Sequence, residues 1–213
     1  MQMNHRQSLA SLASWVTSSE RYEAINEHFL DDVLVGLSAP QKTIPSKYLY
    51  DERGSKLFDE ICQLDEYYLT RAESSIMAEY SPAMARAIGD DVTLVELGSG
   101  SSQKTRMLLN HLDATAYLPI DISASHLHRA AKRIQREYPS VSVHPIVCDF
   151  TDGIEIPLQY DAPNWCVYFP GSTIGNLETH EVTQLLDDLR DVCVPQARLL
   201  VGFDLQKDPA LLH

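Results

Sequence analysis

The fold is decided by one stretch of the chain, Leu94-Val95-Glu96-Leu97-Gly98-Ser99-Gly100. The apolar run 92–97 has the length of one strand and predicts a buried parallel strand. Glycines follow this strand, and residues 101–105 lead into a predicted helix over 106–112. A strand, a glycine turn and a helix form the first half of a nucleotide-binding βαβ unit, in which glycines let a ligand lie against the backbone.

The residues around the glycines favour one class of nucleotide. Gln103 occupies the third glycine position of a dinucleotide fingerprint, and no glycine precedes Lys104 as a phosphate-binding loop requires. Glu96 lies just before the turn, where a carboxylate opposes a pyrophosphate but suits a ligand that carries an ammonium or sulfonium. The motif therefore favours S-adenosylmethionine, and an NAD-dependent oxidoreductase is a disfavoured alternative.

Strands and helices alternate after this motif, which predicts an α/β fold with a doubly wound parallel sheet. Residues 1–91 predict an N-terminal helical cap, and residues 92–213 a Rossmann-like core. In the cap, Ser55 is a candidate helix cap, and Thr70 with Glu73 has the spacing of a capping box. The remaining predicted strands are 116–120, 141–148, 164–169 and 198–203, and the predicted helices are 123–138 and 179–192.

Composition excludes several other functions. The 213 residues carry a net charge of −13 without a Lys/Arg cluster, which disfavours a nucleic-acid partner. The apolar runs are shorter than a membrane span, and the start of the chain lacks the pattern of a secretory signal. The four cysteines and eight histidines are scattered, so we expect reduced thiols and no metal. We expect a cytoplasmic monomer with a small-molecule substrate.

The ends of the predicted strands carry acids that suit an adenosine ligand. Ligands of open parallel sheets bind beyond the carboxyl ends of the strands. Asp121 follows the glycines by about 20 residues, the distance of an acid that binds ribose hydroxyls. Asp149 can accept a hydrogen bond from an adenine amino group, and Phe150 can pack on the ring. The loop 169–176 and Asp204 follow two further strands.

Several segments together resemble the histidine N-alpha-methyltransferase family. YDERGS, EYYLTR and FPGSTIGN are the most specific of them, and the resemblance covers about residue 29 to the end of the chain. It implies a class I methyltransferase fold and S-adenosylmethionine-dependent trimethylation of L-histidine to hercynine in ergothioneine biosynthesis. The matching segments are 47–58, 66–73, 95–106, 117–123, 149–150, 169–176 and 202–209.

The resemblance also implies roles for individual residues. Tyr68 matches a residue near the substrate amine, and Asn176 matches the asparagine that holds the amino-acid substrate. No residue is expected to act as a strong general base, because a neutral α-amino group forms readily near neutral pH. The matching cofactor-binding positions are Gly98, Lys104, Asp121 for the ribose, and Asp149 with Phe150 for the adenine.

The family pattern continues well beyond residue 209, so we expect a C-terminally truncated relative. The missing part would include the last strands of the sheet, an inserted substrate domain and the residues that bind the imidazole ring. Two alternatives therefore stay open. One is a methyltransferase with another amino-acid substrate, such as a tryptophan derivative, or one fused to a sulfoxide synthase acting on histidine. The other is a non-catalytic cofactor-binding fragment that acts as a partner subunit.

Overall fold

The computed structural model describes residues 29–154, 156, 164–193 and 197–208. The sequence-based predictions for residues 1–28 lie outside these ranges. The helices are α1 (29–38), α2 (Glu52–Ile61), α3 (Tyr68–Ile88), α4 (Gln103–Leu109), α5 (Ala124–Glu137) and α6 (Thr179–Val192). The strands are β1 (Val92–Leu97), β2 (Ala114–Asp121), β3 (Ser142–Val143), β4 (Ile146–Val147), β5 (Asn164–Phe169) and β6 (Ala197–Val201). Short 3-10 helices span Ser46–Leu49, Phe150–Asp152 and Thr173–Asn176.

The strands form one parallel sheet in the order β3-β2-β1-β5-β6, and β4 also pairs with β2. The chain winds outward from β1 through β2 and β3, and then returns to the other side of β1 through β5 and β6. This reversal confirms the predicted doubly wound, Rossmann-like fold. It also creates a switch point between β1 and β5, where ligands of such sheets bind.

Strand β1 is the centre of the sheet, and all six of its residues are buried. Its apolar run is continuous because both faces of a central parallel strand are covered by helices. Leu94 packs on one face with Met77 of α3 and Leu108 of α4. Leu97 packs on the opposite face with Leu185 of α6.

Helix α3, which precedes β1, belongs to the same core as the sheet. Met77, Ala85 and Ile88 of α3 join the cluster that contains Leu94, whereas Ile76 and Tyr80 do not. These two side chains are about half exposed, and Ser81 occupies the inward position between Met77 and Ala85. Helix α3 thus covers one face of the sheet.

Strand three differs from its prediction over 141–148. It is divided into β3 and β4, with His144 and Pro145 between them. Pro145 lies within this break, and proline has no N–H to donate to a ladder.

Two predicted helix caps are also wrong. Asp51, rather than Ser55, caps α2, because its carboxylate accepts a hydrogen bond from the Gly54 N–H at 2.6 Å. Helix α3 begins two residues before Thr70, so Thr70 and Glu73 do not form a capping box. Glu73 is instead available for contacts beyond its own helix.

Leu118 provides a test of the sheet core. It is fully buried in β2, whereas Leu49 is 71% exposed on the first 3-10 helix. We expect Leu118→Ala to lower the free energy of unfolding by about 2–5 kcal/mol, since it leaves a cavity. Leu49→Ala, the matched control, is expected to cost about 0.5 kcal/mol or less. Equal losses in urea denaturation would contradict the placement of the core.

Candidate functional site

A cleft of about 570 Å³ opens at the switch point of the sheet. The glycine loop after β1 forms one wall, the first turns of α3 form another, and Pro170, Gly171 and Thr173 after β5 form a third. Two of the predicted site residues, Gly98 and Lys104, line this cleft directly. The topology alone therefore brings the predicted glycine turn to the place where a ligand is expected.

Gly98 has a backbone conformation that its position requires. Its φ is +67°, in the left-handed region that favours glycine. The N–H groups of Gly98 and Ser99 both donate to the Ile120 carbonyl, at 2.9 and 3.1 Å, which ties the turn to the end of β2. A Cβ at Gly98 would lie 3.9 Å from the Phe150 ring, so these two predicted cofactor residues are neighbours.

Asp121 ends β2 and holds the glycine loop with its carboxylate. One oxygen accepts from the Gly100 N–H at 2.9 Å, and the other from the Ser123 N–H at 2.9 Å. Burial raises the pKa of Asp121, and the hydrogen bonds from Ser123 and Gly100 oppose that rise. The predicted ribose-binding acid is thus fixed beside the loop.

Asp149 and Phe150 follow β4 at the same edge of the sheet. The Phe150 ring packs edge-on against Phe169, with centroids 5.5 Å apart. Asp149 Oδ1 accepts from the backbone N–H and the hydroxyl of Thr151, at 3.0 and 2.6 Å. Asp149 Oδ2 lies 3.2 Å from Lys47 Nζ. Sequence analysis assigned no role to Lys47.

Lys104 is held by a residue that sequence analysis interpreted differently. Its ammonium forms an ion pair with Glu73, and both side chains are largely buried. The two carboxylate oxygens of Glu73 also accept from the Gly171 N–H, each at 3.0 Å. Residues 73 and 171 are 98 positions apart, so no local pattern indicated this contact.

Tyr68 and Asn176, the predicted substrate residues, are not among the described residues that line the cleft. The Tyr68 hydroxyl donates to the carboxylate of Asp204, which follows β6. The Asp204 N–H in turn donates to Ser172 Oγ at 3.0 Å, at the start of the loop that ends in Asn176. Asn176 itself is exposed and does not cap α6, because Glu178 has that role.

Glu96 was interpreted as a partner for a cationic ligand, but its carboxylate has internal partners. The side chain is 1% exposed, and Oε2 accepts from the hydroxyls of Thr105, at 2.6 Å, and Tyr117. Burial raises the pKa of Glu96 from 4.5 to about 7 despite these bonds. Glu96 therefore joins β1, β2 and α4 beneath the glycine loop.

Most of the chain is similar to known proteins. The family model of histidine-specific, S-adenosylmethionine-dependent methyltransferases matches residues 29–213. The chain belongs to this family. The chain is 41% identical, over 95% of its length, to the histidine N-alpha-methyltransferase of Mycolicibacterium smegmatis, and 45% identical, over 85% of its length, to that of Mycobacterium tuberculosis. It spans 62% and 57% of these relatives, respectively.

A solved structure supports the same fold. The chain resembles a putative methyltransferase from Thermobifida fusca with a TM-score of 0.50 and 17% sequence identity. The match covers 70% of this chain and 58% of the other. The Rossmann-like class I fold is therefore shared, although the sequences have diverged.

The cleft fits the cofactor of this family, S-adenosylmethionine. The Ser99 hydroxyl is buried in the cleft wall without a hydrogen-bond partner among the described residues, which leaves it available to a polar ligand. Gly98 and Gly100 leave the backbone open beside Phe150 and Asp121. Within the described ranges, no group of acids, histidines and cysteines could hold a metal ion, and no helix is long and apolar enough to cross a membrane.

The buried carboxyl of Glu96 predicts a pH dependence of stability. Because its pKa is raised on folding, the folded chain binds an extra proton between pH 4.5 and about 7, and stability falls as the pH rises through this window. The free energy of unfolding should fall by about 3 kcal/mol across this window. We expect Glu96→Gln to remove this pH dependence. Urea unfolding at several pH values measures the difference.

Glu79→Gln provides the matched control, since Glu79 is an exposed glutamate in α3. This variant should keep the pH profile of the unaltered protein. A profile of Glu96→Gln that runs parallel to that of the unaltered protein would contradict the buried, proton-binding state of Glu96.

Proposed function

We propose that this chain carries the cofactor-binding machinery of an S-adenosylmethionine-dependent N-methyltransferase that converts L-histidine to hercynine in ergothioneine biosynthesis. The observation that carries the proposal is the meeting of Gly98, Asp121 and Phe150 at the switch point of the sheet, in a chain of this family. Chemistry at the α-amino group is proposed because the relatives, of which the chain spans about 60%, are named histidine N-alpha-methyltransferases.

The predicted residues in and beside the cleft suit the separate parts of the cofactor. Asp121 would bind the ribose hydroxyls, because its oxygens lie at the end of β2 beside the glycine loop. Asp149 would accept from the adenine amino group while Phe150 packs on the ring. Lys104 has three N–H donors, and Glu73 does not use all of them, so the ammonium can also bind the carboxylate of the cofactor.

When bound, the cofactor supplies a methyl group on a positively charged sulfur, and the protein mainly orients the amine that receives it. The amine must be neutral, and an α-amino group, whose pKa is about 8 in model peptides, loses its proton at a modest free-energy cost near neutral pH. We therefore assign no general base. Tyr68, whose hydroxyl lies at the end of β6, and Asn176 would orient the amino acid.

Further features of the methyltransferase are proposed on the same basis. We expect a small-molecule substrate and a cytoplasmic monomer without nucleic-acid or membrane partners, in keeping with the net charge of −13. The division into a helical cap over 1–91 and a core over 92–213 remains a prediction. The cap would close the cleft, since the first turns of α3 already form one of its walls.

Removal of the Asp121 carboxylate tests the cofactor site. Asp121→Ala should raise the dissociation constant of S-adenosylhomocysteine by about 10- to 100-fold. This corresponds to the loss of one hydrogen bond to a charged group. Isothermal titration calorimetry measures the affinity. Asp191→Ala, at the exposed end of α6, is the control and should bind normally. Unchanged affinity in Asp121→Ala would refute the assignment of the site.

Substrate choice is tested by mass spectrometry. The protein is incubated with S-adenosylmethionine and either L-histidine or a tryptophan derivative, and methylated products are identified. Methylated histidine supports the proposal, and a methylated tryptophan derivative would assign another substrate. Binding of S-adenosylhomocysteine without any product would indicate a cofactor-binding module. Thermal stabilisation by NAD instead would overturn the cofactor assignment.

A further inference from the structure

Lys47 is a charged residue with no role in the site as described so far, yet it contacts a predicted cofactor residue. It lies in the 3-10 helix Ser46–Leu49, far from the sheet in sequence. Its Nζ is 3.2 Å from Asp149 Oδ2 and 3.5 Å from Asp152 Oδ2. Both acids belong to the segment after β4, so Lys47 joins the helical cap to the edge of the sheet that would bind adenine.

The backbone around Lys47 is held by contacts that do not involve Asp149. The hydroxyl of Tyr48 donates to Asp32 of α1 at 2.5 Å, and its ring packs edge-on against Phe29, with centroids 4.7 Å apart. Lys47 therefore reaches Asp149 from a segment with its own anchor in α1. Burial lowers the pKa of Lys47, but the two carboxylates outweigh that effect and the pKa is raised.

The two oxygens of Asp149 have different surroundings. Oδ1 accepts two hydrogen bonds from Thr151, whereas Oδ2 lies beside Lys47. The Asp149 side chain is only 9% exposed, and a buried carboxylate is costly unless a cation or hydrogen-bond donors compensate its charge. A carboxylate accepts hydrogen bonds and cannot donate one. Asp149 therefore suits the donor edge of a purine, and Lys47 lies where it can hold the carboxylate in place.

We propose that Lys47 is a positioning residue that sets purine specificity by holding the Asp149 carboxylate in place as the partner of an amino group. Such a site binds the 6-amino group of adenine and rejects the 6-oxo group of a deaminated purine, which would place an acceptor against the carboxylate. This inference rests on the proposed function, because it takes Asp149 as the adenine-binding acid.

The test is the ratio of dissociation constants for S-inosylhomocysteine and S-adenosylhomocysteine. The ratio is taken within one variant, so a partly unfolded sample affects both values equally. We expect Lys47→Met to lower this ratio by about tenfold, the value of one charge-assisted hydrogen bond. Lys47→Arg should restore the ratio, since it keeps the charge. Lys56→Met, which removes an exposed lysine of α2, is the matched control and should leave the ratio unchanged.

Two results would overturn the inference. An unchanged ratio in Lys47→Met, which includes equal weakening of both ligands, would reduce Lys47 to a structural contact. If Asp149→Asn abolishes binding while Lys47→Met keeps the ratio, only the role of Lys47 is lost and the proposed function stands. If the unaltered protein binds neither ligand, the proposed function fails and the inference fails with it.

Discussion

The carboxylate of Glu73 is the interaction on which the candidate site depends. It reaches from α3 to the ammonium of Lys104 in α4 and to the N–H of Gly171 after β5. The Glu73 carboxylate also lies so close to Gly202 that a Cβ at this position would collide with it. Three walls of the cleft are thus fixed by one side chain, and a largely buried charge is compensated by a cation and a backbone donor.

This arrangement connects the two halves of the proposed reaction. Helix α3 begins at Tyr68, whose hydroxyl contacts Asp204 at the end of β6, and five residues later it presents Glu73 to the cofactor loop. Helix α3 therefore carries both Tyr68, which is proposed to orient the substrate, and Glu73, which holds the proposed cofactor residue Lys104. Glu96 provides a second connection beneath the glycine loop. Its carboxylate joins β1 to the start of α4 through Thr105 and to β2 through Tyr117.

Local sequence patterns predicted the helices and strands that have a strong hydrophobic period. They did not predict contacts between residues that are distant in the sequence. The apolar run of β1 and the amphipathic spacing of α6 predicted these elements with the bounds found, because burial alone determines them. Pro145 divided a predicted strand, and Glu73 was misassigned to a helix cap. The contacts of Lys47 with Asp149 and of Glu73 with Gly171 span about 100 residues, so only the folded chain reveals them. The roles of Tyr68 and Asn176 stay predictions.

Glu73 holds the walls of the cleft together, and the exchange rates of backbone N–H groups in the cleft wall measure this directly. Glu73→Gln keeps the size of the side chain but removes its charge, so the N–H of Gly171 and the following residues to 176 should exchange faster than in the unaltered protein. Glu79→Gln, on the exposed face of α3, should show no such change. Unchanged exchange over residues 171–176 in Glu73→Gln would contradict the claim.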